Sequence, residues 1–323
     1  MSDAVVAEVV RSGFVEGRHR GSVVALAADG SVDWSVGPVD QPILPRSCNK
    51  PIQATAMVRA GLDLPPDLLA LTAASHSGEP FHVEGVRRIL ASAGLDETAL
   101  QTPPDWPLDD RERDEQLRAG AEKSSILMNC SGKHAAMLAT CVVNAWDPAT
   151  YLKRDHPLQV AIRTTFEELT GETAYLATDG CGAPLLSASP VGLAGAFRRL
   201  ALGVDGRGEP DLAAAAVADA IRRHPEMVSG SRRDERALLT AMPGAIGKAG
   251  AEACYVVALP DGRAFALKID DGGWRARPVV MAAALRRAGV DAEDWVDANE
   301  LRRTGEAPLH GGGEVVGEVR ASI

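Results

Sequence analysis

The sequence predicts an α+β fold in which both chain ends contribute strands to one antiparallel sheet and a mainly helical lobe is inserted between them. Three observations carry this expectation. The N-terminus alternates apolar and polar residues as strands do, two apolar runs near the C-terminus flank a Pro-Asp-Gly turn, and the long middle has helical spacing.

Residues 5–10, 22–27 and 32–36 alternate and are separated by turn signals at Gly17 and Asp29-Gly30, which predicts an antiparallel meander. From Lys50 to Ala60 the pattern turns helical, and Pro51 is tolerated because the first helical turn has no N–H bond to lose. Further helices are expected over residues 66–73, 83–93, 109–123, 133–143, 157–169 and 213–224, whereas Gln101 to Trp106, among Pro103, Pro104 and Pro107, reads as a loop. Residues 254–259 and 263–269 flank Pro260-Asp261-Gly262, a hairpin signal. A helix over 279–288, a turn at Gly311 to Gly313 and a last strand over 314–319 complete the chain. We expect a single catalytic unit over 1–323, with a sheet lobe from about 1–46 and 245–323 and a mainly helical lobe from about 47–244.

Hydrophobic residues make up 46% of the 323 and charged ones 24%, which argues against a disordered, collagenous or membrane protein. A net charge of -10 without a clustered basic run disfavours nucleic acid as a ligand. No stretch approaches 18 uninterrupted apolar residues, and acidic Asp3 and Glu8 stand where a secretory signal would be basic, so a soluble cytoplasmic protein away from membranes is expected. The five cysteines (Cys48, Cys130, Cys141, Cys181, Cys254) are odd in number and scattered, unlike a disulfide framework. Free thiols or metal ligands fit better, with Cys141 and Cys254 in apolar stretches read as core.

Of 34 basic residues, 28 are Arg and six are Lys. Arginine cannot give up its proton in a protein, whereas a lysine amine can act as a base or bind a metal, so each lysine is informative. In Ser47-Cys48-Asn49-Lys50 a serine and a lysine lie three apart at a helix start, on the same face. A neutral amine there could take the hydroxyl proton during attack on an amide. That requires the ordinary lysine pKa near 10.4 to fall by about 3, which burial and a nearby cation could supply together. The competing reading is a helix-capping Ser47 and a solvated Lys50. Two further features favour chemistry: Ser75-His76-Ser77 follows an apolar helix, and Lys248-Ala249-Gly250 precedes the hairpin. The order Ser-x-x-Lys, Ser-x-Ser, Lys-x-Gly resembles that of serine β-lactamases and penicillin-binding proteins. In such a site Ser75 would relay a proton to the leaving nitrogen and Lys248 would supply positive charge; the alternatives are a turn serine and an exposed lysine.

A second constellation joins Asn129-Cys130-Ser131-Gly132-Lys133-His134 to Asp179-Gly180-Cys181-Gly182-Ala183-Pro184. Two thiolates on glycine-rich turns suit zinc, with Lys133 or His134 completing the site. Chemistry alone favours His134, because a lysine must lose its proton before it ligates. Buried, inert cysteines are the competing reading.

Six blocks in order, around Ser47 to Lys50, Ala74 to Glu79, Asn129 to His134, Asp179 to Pro184, Lys248 to Glu252 and Leu267 to Gly272, resemble the asparaginase II family, whose structurally known members are rhizobial-type (class 3) L-asparaginases. The resemblance implies a serine β-lactamase/penicillin-binding-like fold, hydrolysis of L-asparagine to aspartate and ammonia, and a homodimer. It implies two Ser-Lys pairs, Ser47 with Lys50 and Ser75 with Lys248, and zinc held by Cys130, Lys133 and Cys181 with Asp179 beside it. On the third ligand this replaces His134 by Lys133. Ala253 departs from the family, which usually has glycine there. Arg46, His76, Glu79 and Asn129 are candidates, by position, to grip the substrate's α-amino and carboxylate groups. The rival readings are another serine amidohydrolase of the same fold (a glutaminase, peptidase or β-lactamase-like enzyme) and a non-catalytic zinc-binding module.

Overall fold

The computed structural model describes residues 4–323; Asp3, used above, lies outside the described residues. Along the chain run β1 (Val5–Arg11), β2 (Phe14–Leu26) and β3 (Val32–Val36), then a 3-10 turn (Arg46–Asn49) that continues directly into α1 (Lys50–Arg59). Next come α2 (Pro66–Thr72), α3 (Pro80–Ser92), α4 (Asp110–Arg118), α5 (Ser131–Val143) and α6 (Pro157–Thr170). The short strands β4 (Leu176–Thr178) and β5 (Pro184–Leu186) precede α7 (Pro190–Leu202), α8 (Leu212–Arg223), α9 (Pro225–Val228) and α10 (Asp234–Ala241). The chain closes with β6 (Ile246–Gly250), β7 (Cys254–Ala258), β8 (Ala264–Ile269), α11 (Ala276–Arg287), α12 (Ala298–Thr304), β9 (Pro308–Gly311) and β10 (Glu314–Ala321). Proline opens α1, α2, α3, α6 and α9, where its missing N–H costs nothing. Among the described residues no helix is long and apolar enough to cross a membrane.

The chain divides into two compact units. The first comprises Met1–Cys48, Ser187–Leu202 and Ala237–Ile323. It holds the expected antiparallel sheet from both chain ends, in the order β6-β7-β8-β2-β1-β10-β9, with β3 also paired to β2. The long β2 serves three partners: its first half pairs with β1, its second with β8 and β3. Gly21 stands at the change, where a Cβ would come within 2.2 Å of the Lys268 carbonyl oxygen. All five residues of β7 are buried, an apolar run typical of a strand covered on both faces, and α7 and α11 both pack on it. α7 belongs to this unit although its sequence neighbours do not; helical spacing reveals an apolar face but not what that face will cover.

The second unit, Asn49–Leu186 with Gly203–Arg236, is mainly helical and wraps α1. Every residue of α1 from Lys50 to Met57 is buried, against α2, α5, α6 and α8. At its far end the Arg59 guanidinium binds Glu168 (2.7 Å) and Asp211 (2.8 Å). The β4–β5 hairpin is closed by Asp179 N–H to Ala183 O (2.9 Å) and Gly182 N–H to Asp179 O (2.9 Å), with Gly182 left-handed at φ 86. This turn sets Cys181 in place.

Candidate active site

In the sheet unit, the turn that carries Ser47 is strained. Arg46, immediately before it, has φ 55, and Glu252 and Ala253 in the β6–β7 turn have φ 56 and 51. The left-handed region costs a non-glycine residue about 1–2 kcal/mol, and such strain persists only where the surrounding structure over-determines the backbone. Ala253 is thus one of the three. Gly250 meets the Ser47 turn directly: a Cβ there would lie 2.4 Å from Pro45 O and 3.4 Å from Ser47 N. The Cys48 thiol donates to the Lys248 carbonyl at 3.1 Å, tying the turn to β6. Ser47 itself is half-buried. Lys248 is fully buried, so the exposed-lysine alternative fails; its amine donates to Ala249 O at 2.9 Å.

In the helical unit, Lys50 is 1% exposed, which removes the solvated alternative. Its amine donates to Ala74 O (2.5 Å) and to Ser75 Oγ (3.0 Å). Ser47 and Lys50 stand three residues apart on one uninterrupted helical run. The loop after α2 is held from two sides, by Ser75 N–H to Val228 O (3.0 Å) and His76 N–H to Asn129 O (3.1 Å). His76 is enclosed: Nδ1 accepts from Gly78 N–H (3.1 Å), so Nε2–H donates to Ser131 Oγ (2.8 Å), which donates to Ile126 O (2.8 Å). Burial, then His82 and Lys50, keep its pKa well below the usual histidine range. The Glu79 carboxylate accepts from Ser231 N–H (2.8 Å) and Ser231 Oγ–H (2.5 Å), with Arg232 at 3.6 Å. Both side chains are therefore engaged in holding this loop.

Cys130, Lys133 and Cys181 converge. All three are buried, Lys133 Nζ donates to Cys181 Sγ at 3.2 Å, and the two cysteines share one small core cluster with Met128 and Ala183. The neighbouring Cys130 thiol and the charge of Lys133 pull the Cys181 thiol far below its ordinary range, while Cys181 and burial hold Cys130 above it. Burial opposes the Lys133 ammonium, but Cys181, Cys130 and Asp179 outweigh it and hold the amine above the usual lysine range. Asp179 Oδ2 lies 3.9 Å from Cys181 Sγ, and Asn129 Oδ1 accepts from the Cys130 thiol at 3.1 Å. His134 turns Nδ1 to the Tyr151 hydroxyl (2.7 Å), and burial, then Lys133, lower its pKa to about 4. Among the described residues no group of three or more His, Cys, Asp or Glu side chains is placed to hold a metal ion. Two sulfurs and one amine do meet, and that donor set is chemically compatible with zinc once the amine is neutral.

The L-asparaginase II family pattern matches residues 7–321, nearly the whole chain. The chain belongs to the L-asparaginase II family. Membership supports an amidohydrolase. No curated protein matches in sequence. Solved structures give remote likenesses: Mglu in its native form (14% identity, TM-score 0.46, covering 84% of this chain and 64% of that one), a β-lactamase from Mycobacterium bovis (13%, 0.37, 83% and 94%) and Bacillus glutaminase in 4.3 M NaCl (12%, 0.37, 83% and 91%). The chain thus spans 64% of the length of Mglu.

Sequence reasoning missed two contributors in this asparaginase II chain. The segment Val228 to Arg232 straps the Ser75 to Glu79 loop: Ser77 Oγ–H donates to Ser229 O (2.7 Å), and Gly230, at φ 138, leaves 2.1 Å between its missing Cβ and Ser77 Oγ. The run of small residues Ser229-Gly230-Ser231 was the available signal. Glu252, paired with Arg46, closes the Lys248 to Glu252 block, which assigned it no role.

Proposed function

We propose that this chain hydrolyses L-asparagine to L-aspartate and ammonia through Ser47, with Lys50 as its base. The observation that carries the reading is the buried Lys50 amine bonded to Ser75 Oγ at 3.0 Å, three residues along one helical run from a half-buried serine. In this mechanism Ser47 Oγ attacks the side-chain amide carbon and its proton passes to Lys50 Nζ. Because Ser75 accepts from Lys50, its own hydroxyl proton stays free to protonate the departing nitrogen, and Lys50 replaces it. The C–N bond breaks, ammonia leaves and an aspartyl ester remains, which water cleaves with Lys50 again as base. Lys248 contributes positive charge, and backbone N–H groups at Ser47 stabilise the oxyanion, on a side that Gly250 leaves free of any side chain.

Arg46 and Asn129 are the proposed contacts for the substrate's carboxylate and amino groups, with His76 and Glu79 shaping the loop beneath. Cys130, Lys133 and Cys181 would hold zinc, with Asp179 beside them. A bound zinc would supply positive charge for the substrate's polar end. A homodimer is part of the same proposal. The test is ammonia release from L-asparagine, L-glutamine and, by colour, a chromogenic β-lactam. Release from asparagine that is abolished in Ser47→Ala and in Lys50→Met supports the reading; substantial activity in either variant removes it.

A further inference from the structure

Arg46 and Glu252 are both non-glycine residues in left-handed backbone, at φ 55 and 56, and they face each other across the Ser47 turn. Arg46 Nη1 lies 3.8 Å from Glu252 Oε1, beyond hydrogen-bond reach. The Glu252 side chain is 62% exposed and that of Arg46 24%. By contrast, Arg59 closes fully on Glu168 and Asp211 at 2.7 and 2.8 Å. The backbone of the Glu252 turn is firmly anchored nonetheless, since Lys268 Nζ donates to Glu252 O at 2.6 Å. A rigid turn thus presents a loosely held carboxylate to the guanidinium that precedes the proposed nucleophile.

We propose that Glu252 is a specificity-determining residue that occupies, on Arg46, the place taken by the substrate's α-carboxylate. The inference rests on the hydrolase reading above. A substrate with a free α-carboxylate exchanges a loose, exposed pair, which contributes little, for a bidentate one with full hydrogen bonds. A substrate without that carboxylate finds Arg46 already neutralised and gains nothing. Glu252 therefore screens Arg46 between turnovers and lets only a competing carboxylate engage it.

The experiment compares L-asparagine with its α-amide, L-asparaginamide, which keeps the scissile side-chain amide and lacks the free carboxylate. In Glu252→Gln the KM for asparagine falls by roughly threefold, the scale of an exposed ion pair, and the dissociation constant of L-aspartate measured by calorimetry falls with it. The KM for asparaginamide stays within about twofold, because no carboxylate competes. In the Arg46→Gln background the Glu252→Gln change has no effect on KM. Glu252→Asn, which a left-handed turn accommodates readily, repeats the measurement if the Gln variant does not fold. An unchanged or raised KM for asparagine, or an equal change for both substrates, overturns the inference. Wild-type protein that releases no ammonia from either amide overturns the hydrolase reading and the inference with it, whereas active wild type with indifferent Glu252 variants overturns the inference alone.

Discussion

His82 offers the sharpest test of the buried electrostatics beneath the Ser75 loop. Its ring is fully buried, donates from Nε2 to Glu226 O at 3.0 Å and stacks on His76 with centroids 5.2 Å apart. Burial lowers its pKa to about 4, partly opposed by the Glu226 carbonyl and Glu79. The unfolded chain titrates near 6.5, so between those values it binds more protons than the folded protein does. His82 therefore stabilises the neutral-pH fold fully above the unfolded value, and that contribution is lost as the pH falls towards 4. Linkage puts the loss at about 2 kcal/mol between pH 7.5 and pH 5. Glutamine reproduces the Nε2 donor without titrating, so His82→Gln keeps the bond to Glu226 and removes the pH dependence. Urea unfolding of wild type and variant at the two pH values is the assay. The stability gap between them should narrow by about 2 kcal/mol at pH 5, and parallel behaviour within about 0.5 kcal/mol would refute the argument.

Gly230→Ala should destabilise the protein by about 3 kcal/mol, from backbone strain at φ 138 and loss of the Ser77 and Glu79 bonds to the strap; a change below about 1 kcal/mol in urea unfolding would contradict the contact geometry. Ala253→Gly should be nearly neutral, because relief of about 1–2 kcal/mol of left-handed strain is offset by a lost buried methyl and greater chain freedom when unfolded. Ala253→Val, β-branched in the same conformation, should lower the melting temperature clearly, and an equal melting temperature would show the turn to be unstrained. Elemental analysis should find about one zinc per chain in wild type and background levels in Cys181→Ser, with far-UV dichroism unchanged; zinc-free wild type purified from zinc-replete cells removes the proposed metal site.

The sheet was legible because its strands carry local signals: alternation in β1 to β3, and Pro260-Asp261-Gly262 between β7 and β8. The elements that escaped were α7, α9, α10, α12, β4, β5, β6 and β9. α10 and α12 are eight and seven residues long, too short for a clear period. β9 has only four residues, and its partner β10 lends it the hydrogen bonds that its sequence does not announce. In the site, the meeting of Cys130 with Cys181 was readable through glycine-rich turns. The engagement of His76 and Glu79 was not readable, since it depends on Ser131, Ser231 and Gly78, partners up to 152 positions away. Backbone strain at Arg46 and Glu252 leaves no mark on residue type, because neither is a residue that favours the left-handed region.

The pairing of β1 with β10 joins Ala7 to Ala321. Every element from β2 to β9 must therefore be synthesised before β1 receives its second neighbour, and until then the nascent meander carries an open edge able to recruit other chains. Loss of β10 would therefore leave β1 with an unsealed edge, and aggregation is the expected outcome.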